Sequence, residues 1–255
     1  MMTDRVVSLA PSATATLSAL GAGDALVGVT HACSVPSGAD DPTVVGGWPN
    51  PDLDAVAGLE PDAVLTCDAL QRETVAACRE RGLPVTHAEP TRLVDVFAYV
   101  ESVGAAVGRS AAGDDLAESC RERVDRVRRA VPDDPEERPV VYAEEWGDPP
   151  MAAGNWVPDA VAAAGGRYPF VDAGDRSSAV DGSTVERADP DHAVVHWCGD
   201  GAVASPSVFA DRDWDVDAAV HVVDDSLLNQ PSPRLIDGIE RLAGILHGVE
   251  VAAEK

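Results

Sequence analysis

Between Ser110 and Val131 the chain changes its rhythm, and that break constrains the fold more than any other feature. Leu116, Cys120, Val124, Val127 and Val131 form one apolar stripe among many charges, with no strand-like run at normal spacing on either side. At 1.5 Å per residue the segment makes a helix of about 33 Å, long enough to cross a domain. Pro132-Asp-Asp-Pro-Glu-Glu-Arg-Pro139 then stops it with an acidic, Pro-rich hinge. The simplest organisation is an N-terminal α/β lobe over 1–108, a connecting helix and hinge over 109–138, and a C-terminal α/β lobe over 139–255. A plain surface helix within one domain is the alternative.

Before that break, short apolar runs alternate with helical periodicity. Val6–Leu9 reads as a strand, and Ala10 to Gly21 as a helix that Ser12 or Thr14 could cap. Leu26–Thr30, Asp62–Thr66 and Pro84–His87 read as strands; Leu53–Leu59, Glu73–Arg81 and Arg92–Val107 read as helices, the last two ended by Gly82 and Gly108. The alternation predicts a parallel sheet flanked by helices. Because the first strand–helix turn has no Gly-rich fingerprint, a dinucleotide site is not indicated.

After the hinge the pattern restarts. Pro139–Tyr142 reads as a buried strand, followed by a loop holding Trp146 and Trp156 and a short helix, Val157–Ala164, ended by Gly165-Gly166. Val180–Ala188 reads as a helix, His192–Trp197 and Ala219–Val223 as strands, and Cys198-Gly-Asp-Gly201 as a turn. Leu227 to Leu235 is a loop opening a final helix with Leu235, Ile239, Leu242, Ile245 and Leu246 inward. Two of the five tryptophans thus fall in one loop, and a third, Trp48, lies in the turn-rich stretch Val44–Leu53. Loops at the carboxyl ends of strands are where α/β sheets bind ligands, so Trp48 and Trp156 are expected to present flat apolar faces, with Trp146 bracing its loop. Plugging the core beneath the loop is the competing role, and it is the one expected of Trp197.

Composition narrows the partners. The 255 residues are 45% hydrophobic, enough for a core, yet the formal net charge is -25 and Lys255 is the sole lysine. Such a field repels nucleic acid and anionic membrane. Acidic residues dispersed over loops and helix faces suggest a halophilic protein with an acidic surface, kept soluble where salt screens self-repulsion. Five cysteines without CxxC spacing point to reduced thiols. The start, Met1-Met-Thr-Asp-Arg5, carries no secretion signal or lipid-anchoring Cys, and no apolar run approaches a membrane span. The sequence as written is expected to stay in the cytoplasm, and outside it only if the true start lies upstream.

Catalytic chemistry is poorly represented. No G-x-S-x-G, P-loop or H-E-x-x-H is present, and no nucleophile is paired with a base, so an enzyme is not expected and no cofactor is required. His31, two residues before Cys33, could ligate a metal or simply hydrogen-bond its loop. His192, His196 and Cys198 share a strand face but sit in a packing layer. Glu144, Glu145 and Asp148 could bond polar substituents of a ligand or be solvated, and Asp172 to Asp175 reads as a turn.

Ser8-Leu-Ala-Pro-Ser-Ala-Thr14, Val27-Gly-Val-Thr-His-Ala-Cys-Ser-Val-Pro36, Gly46-Gly-Trp48, Leu59-Glu-Pro-Asp-Ala-Val-Leu65, Glu145 to Pro158, Ala163-Ala-Gly-Gly166, Trp197-Cys-Gly199 and Pro231-Ser-Pro-Arg-Leu235 follow one another in an order that resembles the cobalamin-receptor-like substrate-binding proteins. The set is similar to the helical-backbone metal-chelate receptors, in the branch lacking a secretion signal. The resemblance implies a class III periplasmic-binding-protein-like α/β fold, two lobes each with a parallel sheet flanked by helices and joined by one long rigid helix. It implies non-catalytic binding of cobalamin or another corrinoid between the lobes, with Ser12, His31, Trp48, Trp146, Met151, Asn155, Trp156, Asn229 and Arg234 as the binding residues. An iron-siderophore or haem ligand is the alternative within this class. A metal- or corrinoid-dependent enzyme on the same fold is the alternative outside it. An ABC permease would be the partner, and its two docking glutamates in the receptors correspond here to Asp54 and Ser183. Two ligand-facing aromatics of those receptors are replaced, by Ala32 and Cys67.

Overall fold

The computed structural model describes residues 3–36, 39–199 and 204–250, and the chain divides into two compact units, Met1–Pro90 with Val94–Cys120 and Thr91–Leu93 with Arg121–Lys255. The protein is α/β, with two parallel-rich sheets flanked by helices.

In the first unit, strands β1 (Val6–Ser8), β2 (Leu26–Val29), β3 (Thr43–Val44), β4 (Ala63–Cys67) and β5 (Val85–Ala88) pair in parallel in the order β3-β2-β1-β4-β5. Helices α1 (Pro11–Ala19), α2 (Leu53–Gly58), α3 (Arg72–Glu80) and α4 (Leu93–Ala106) connect and flank them. Alternation along the strands builds two cores. Val6 and Leu65 join Ala13 and Leu17 of α1 and Tyr99 and Val103 of α4; Val7 and Val64 join Val56 of α2 and Cys78 of α3. Strand order reverses between β1 and β4, so their carboxyl ends border the crevice where open sheets of this kind take ligands.

Local chemistry explains the helix ends. At the close of α1, Ala22 N–H reaches Leu17 O at 2.8 Å and Gly21 N–H reaches Ser18 O at 3.0 Å, with Gly21 at φ +62°, a turn that favours glycine. Asp52 caps α2 by accepting from Asp54 N and Ala55 N. At the start of α1 the expected Ser12 or Thr14 cap is replaced by Pro11 in the first turn, with Ala10 as a cap residue that makes no side-chain bond. Ser12 and Thr14 are buried inside the helix, where Thr14 donates to Ser8 Oγ at 2.8 Å. The edge strand β3, two residues long, carries no periodic signal and was not legible as a strand.

Helix α5 (Ser110–Ala130) runs 21 residues, and the boundary between the units falls within it. Its Gly113 lies so close to Gly104 of α4 that a Cβ on Gly104 would stand 2.7 Å from Gly113 Cα, an approach only small residues allow.

The second unit contains β6 (Val141–Gly147), β7 (Pro150–Ala152), α6 (Val157–Ala163), β8 (Ser178–Ala179), α7 (Gly182–Ala188), β9 (His192–Val195), α8 (Ser207–Ala210), β10 (Ala219–Val222) and α9 (Pro233–His247). The sheet order is β10-β9-β6-β7-β8, parallel across β10, β9 and β6 but antiparallel across β6–β7 and β7–β8. The stretch read as an aromatic loop is therefore largely a hairpin: β6 continues through Trp146, turns at Asp148-Pro149 and returns as β7. Tyr142, Val185, Ala193 and Phe209 form its core, with Tyr142 edge-on to Phe170 at 5.0 Å between centroids. Of the turn expected over Cys198–Gly201, Asp200 and Gly201 lie outside the described residues.

Candidate functional site

Near the point of strand-order reversal of each sheet, one buried polar side chain organises an aromatic neighbour. In the first unit that side chain is Gln71, fully buried as the last residue of a one-turn 3-10 segment. Its Oε1 accepts from Cys67 N at 2.9 Å, and its Nε2 donates to Leu9 O and to Trp48 O, both at 2.9 Å. Trp48 itself is half-buried and packs on the core shared by α1 and α4. The feet of its loop are fixed by the paired residues Gly46 and Pro51 and by Asp52 N–H on Val45 O at 2.7 Å. Beneath lies a layer of small polar groups: Ser12, 3% exposed, donates to Tyr99 Oη at 3.4 Å. Burial pushes the Cys67 thiol up to about 12, so this layer is uncharged at neutral pH.

His31 and Cys33 do not form a pair. The His31 side chain is exposed and its backbone N–H bonds Gly46 O at 2.9 Å, whereas Cys33 is half-buried with its Sγ on Thr30 Oγ1 and Ser8 O. Cys67 is buried.

In the second unit the organising group is Glu144, with no exposed surface. It accepts from Tyr142 Oη at 2.7 Å and Trp197 Nε1 at 2.9 Å, and Arg212 reaches it with Nη1 at 2.5 Å and Nη2 at 2.7 Å. Burial works against the Arg212 charge, but the Glu144 carboxylate outweighs it and raises the guanidinium. Arg212 also stacks over Trp214 at 4.7 Å and donates to Gly147 O at 3.3 Å, which ties the hairpin base. Trp197, expected in the core, is half-buried against Gly147, where a Cβ would come within 2.4 Å of its ring. Glu144 is thus neither a solvated charge nor a free ligand contact; its acceptors are used within the protein.

The hairpin carries the apolar surface. Opposite Ala152 and Met151 the β6 register slips by one residue between Glu144 and Trp146, and such a bulge re-aims side chains. Trp146 is 48% exposed, its Nε1 on Asp148 O at 2.9 Å, and its ladder partner Met151 is half-buried. Trp156 differs from expectation: it is 6% exposed and its Nε1 donates to Leu228 O at 2.7 Å, so the indole is core at the start of α6 and offers no free face. Asn155 takes a left-handed conformation at φ +51° and anchors its turn through its backbone, N–H to Asp175 O at 2.5 Å.

Asn229 is likewise occupied, its Nδ2 on His196 O at 2.8 Å and its Oδ1 accepting from His196 Nδ1 at 2.5 Å. Burial drives His196 down to about 4, so the ring is neutral, and its buried Nε2 has no partner among the described residues. His192 pairs with His221 at 3.1 Å, so the three-residue face His192, His196 and Cys198 is dispersed. Arg234 is exposed in the first turn of α9 with Nε on Ser226 Oγ at 3.0 Å. Asp175 N–H on Asp172 O at 3.0 Å makes the expected turn. Among the described residues no three His, Cys, Asp or Glu side chains gather as a metal site, and no helix is long and apolar enough to cross a membrane.

Sequence reasoning missed Gln71 and Arg212. Gln71 gives no signal, an amide amid turn residues; Arg212 gives a weak one, a lone cation in Asp211-Arg-Asp-Trp-Asp215 beside aromatics.

Comparison with known proteins places these features in context. The family described as periplasmic binding protein matches residues 6–216. A cobalamin-binding protein of Halobacterium salinarum is 31% identical over 97% of this chain and 70% of its own length. The solved periplasmic heme binding protein of Pseudomonas aeruginosa superposes with a TM-score of 0.82 at 18% identity, over 100% of this chain and 96% of that one. The periplasmic vitamin B12 binding protein of Vibrio cholerae gives 0.76 at 20% identity, over 94% and 95%. At those identities the two structures speak for the fold alone.

Proposed function

Because this chain belongs to the periplasmic binding protein family, we propose that it is a non-catalytic receptor for cobalamin or a related corrinoid. The observation that carries the reading is the 31% identity to a cobalamin-binding protein along nearly the whole chain. The site chemistry agrees in kind. A corrin is flat, apolar on its faces and fringed with amides, and such ligands are held by aromatic stacking with a few polar contacts. Trp48 in the first unit and the Trp146–Met151 hairpin in the second supply apolar surface. Ser12, Trp156 and Asn229 spend their polar atoms within the protein, and exposed His31 and Arg234 are the polar candidates.

Titration calorimetry of the protein with cyanocobalamin and cobinamide in molar KCl tests the proposal. We expect saturable heat with one site, and a loss of affinity of about tenfold or more for Trp48→Ala. No heat at micromolar protein would refute corrinoid binding, and a Soret or ferric-siderophore band on the purified protein would replace it with the iron-chelate reading. Hand-over to an ABC permease belongs to the same proposal. Asp54 is exposed, its Oδ1 3.5 Å from Arg81 Nη2, whereas Ser183 donates to Asp181 Oδ1 at 2.9 Å.

A further inference from the structure

We propose that Gln71 is a positioning residue that holds Trp48 over the switch point of the first sheet; the inference rests on reading Trp48 as the ligand's stacking surface. Three backbone groups converge on this one carboxamide: Leu9 O after β1, Cys67 N at the end of β4, and Trp48 O in the loop. β1 and β4 are neighbours at the reversal of strand order, where the next polar groups of the backbone lack a strand to pair with. Gln is the one side chain of this length that supplies an acceptor and two donors at once. Its full burial leaves none of these bonds to water. The feet of the Trp48 loop are fixed by backbone pairing, and Gln71 ties down its apex. Freeing that apex leaves the loop attached but makes the ligand immobilise Trp48 on binding, a cost worth roughly three- to tenfold in affinity.

The test uses protein labelled with 5-fluorotryptophan, whose five indoles give five fluorine resonances, Trp48 being assigned from Trp48→Phe. Gln71→Met, which keeps volume and removes the hydrogen bonds, should shift or broaden the Trp48 resonance. The signals of Trp146, Trp156, Trp197 and Trp214 should stay in place, and cyanocobalamin affinity should fall roughly three- to tenfold. Val56→Ala, a core truncation in α2 on the opposite face of the sheet, should lower stability and leave the Trp48 signal unmoved. An unmoved Trp48 signal in folded Gln71→Met overturns the proposal. In the wild type both Gln71 carboxamide protons should exchange slowly with D2O, and fast exchange overturns it whatever the variants do. If the wild type binds no corrinoid, the functional reading fails while the fluorine and exchange data still decide the role of Gln71.

Discussion

Replacing Arg212 by Met should destabilise the second unit by about 3–5 kcal/mol, because it strands a carboxylate that has no exposed surface. Arg212 supplies two of the four hydrogen bonds to the Glu144 carboxylate, and its own side chain is only 15% exposed. At an effective dielectric of about 20, unit charges about 4 Å apart attract by about 4 kcal/mol, which agrees with that range. Removing both charges is a different perturbation. Glu144→Met with Arg212→Met leaves apolar groups of similar length, and should recover much of the loss, apart from the unpaired Tyr142 hydroxyl and Trp197 N–H. Urea titration in molar KCl, followed by tryptophan emission, measures the cycle. With a slope of about 2 kcal/mol per molar, the single variant shifts its midpoint by about 2 M. A single-variant loss below about 1 kcal/mol, or a cycle with no coupling energy, would show that the pair is not a buried support for the hairpin.

Three further outcomes follow from the structure. Trp156→Phe removes the bond to Leu228 O and should cost about 1–3 kcal/mol of stability while leaving corrinoid affinity unchanged; calorimetry that shows a tenfold affinity loss instead would put the indole back at the ligand. His196, lowered by burial from 6.5 to about 4, binds its proton in the unfolded chain before the folded one, so its contribution is fully present above pH 6.5 and lost as pH falls toward 4. That contribution is about 3 kcal/mol, with the half-buried pair His192 and His221 acting in the same direction, and His196→Gln should flatten the pH dependence of the urea midpoint. Raising KCl from 0.15 M to 1 M shortens the screening length from about 8 to about 3 Å and should raise Tm by about 2–4 °C for each kcal/mol of relieved repulsion. A Tm that falls with salt would contradict the halophilic reading of the -25 charge.

The sequence by itself determined the elements whose signal is local. The strand at Val6 to Leu9, the glycines after α1 and α3 and the long stripe of α5 could all be read from residue types, because periodicity and caps depend on neighbours in the chain. The tryptophans could be found but not assigned, since whether an indole stacks or packs depends on what folds against it. Trp156 became core when Leu228, far along the chain, offered a carbonyl; Trp146 stayed exposed because a bulge turned β6 at the hairpin. Gln71 and Arg212 belonged wholly to tertiary structure. Their importance comes from backbone and carboxylate partners that are adjacent only after the sheets close, and buried polar groups acquire meaning only once water is excluded from around them.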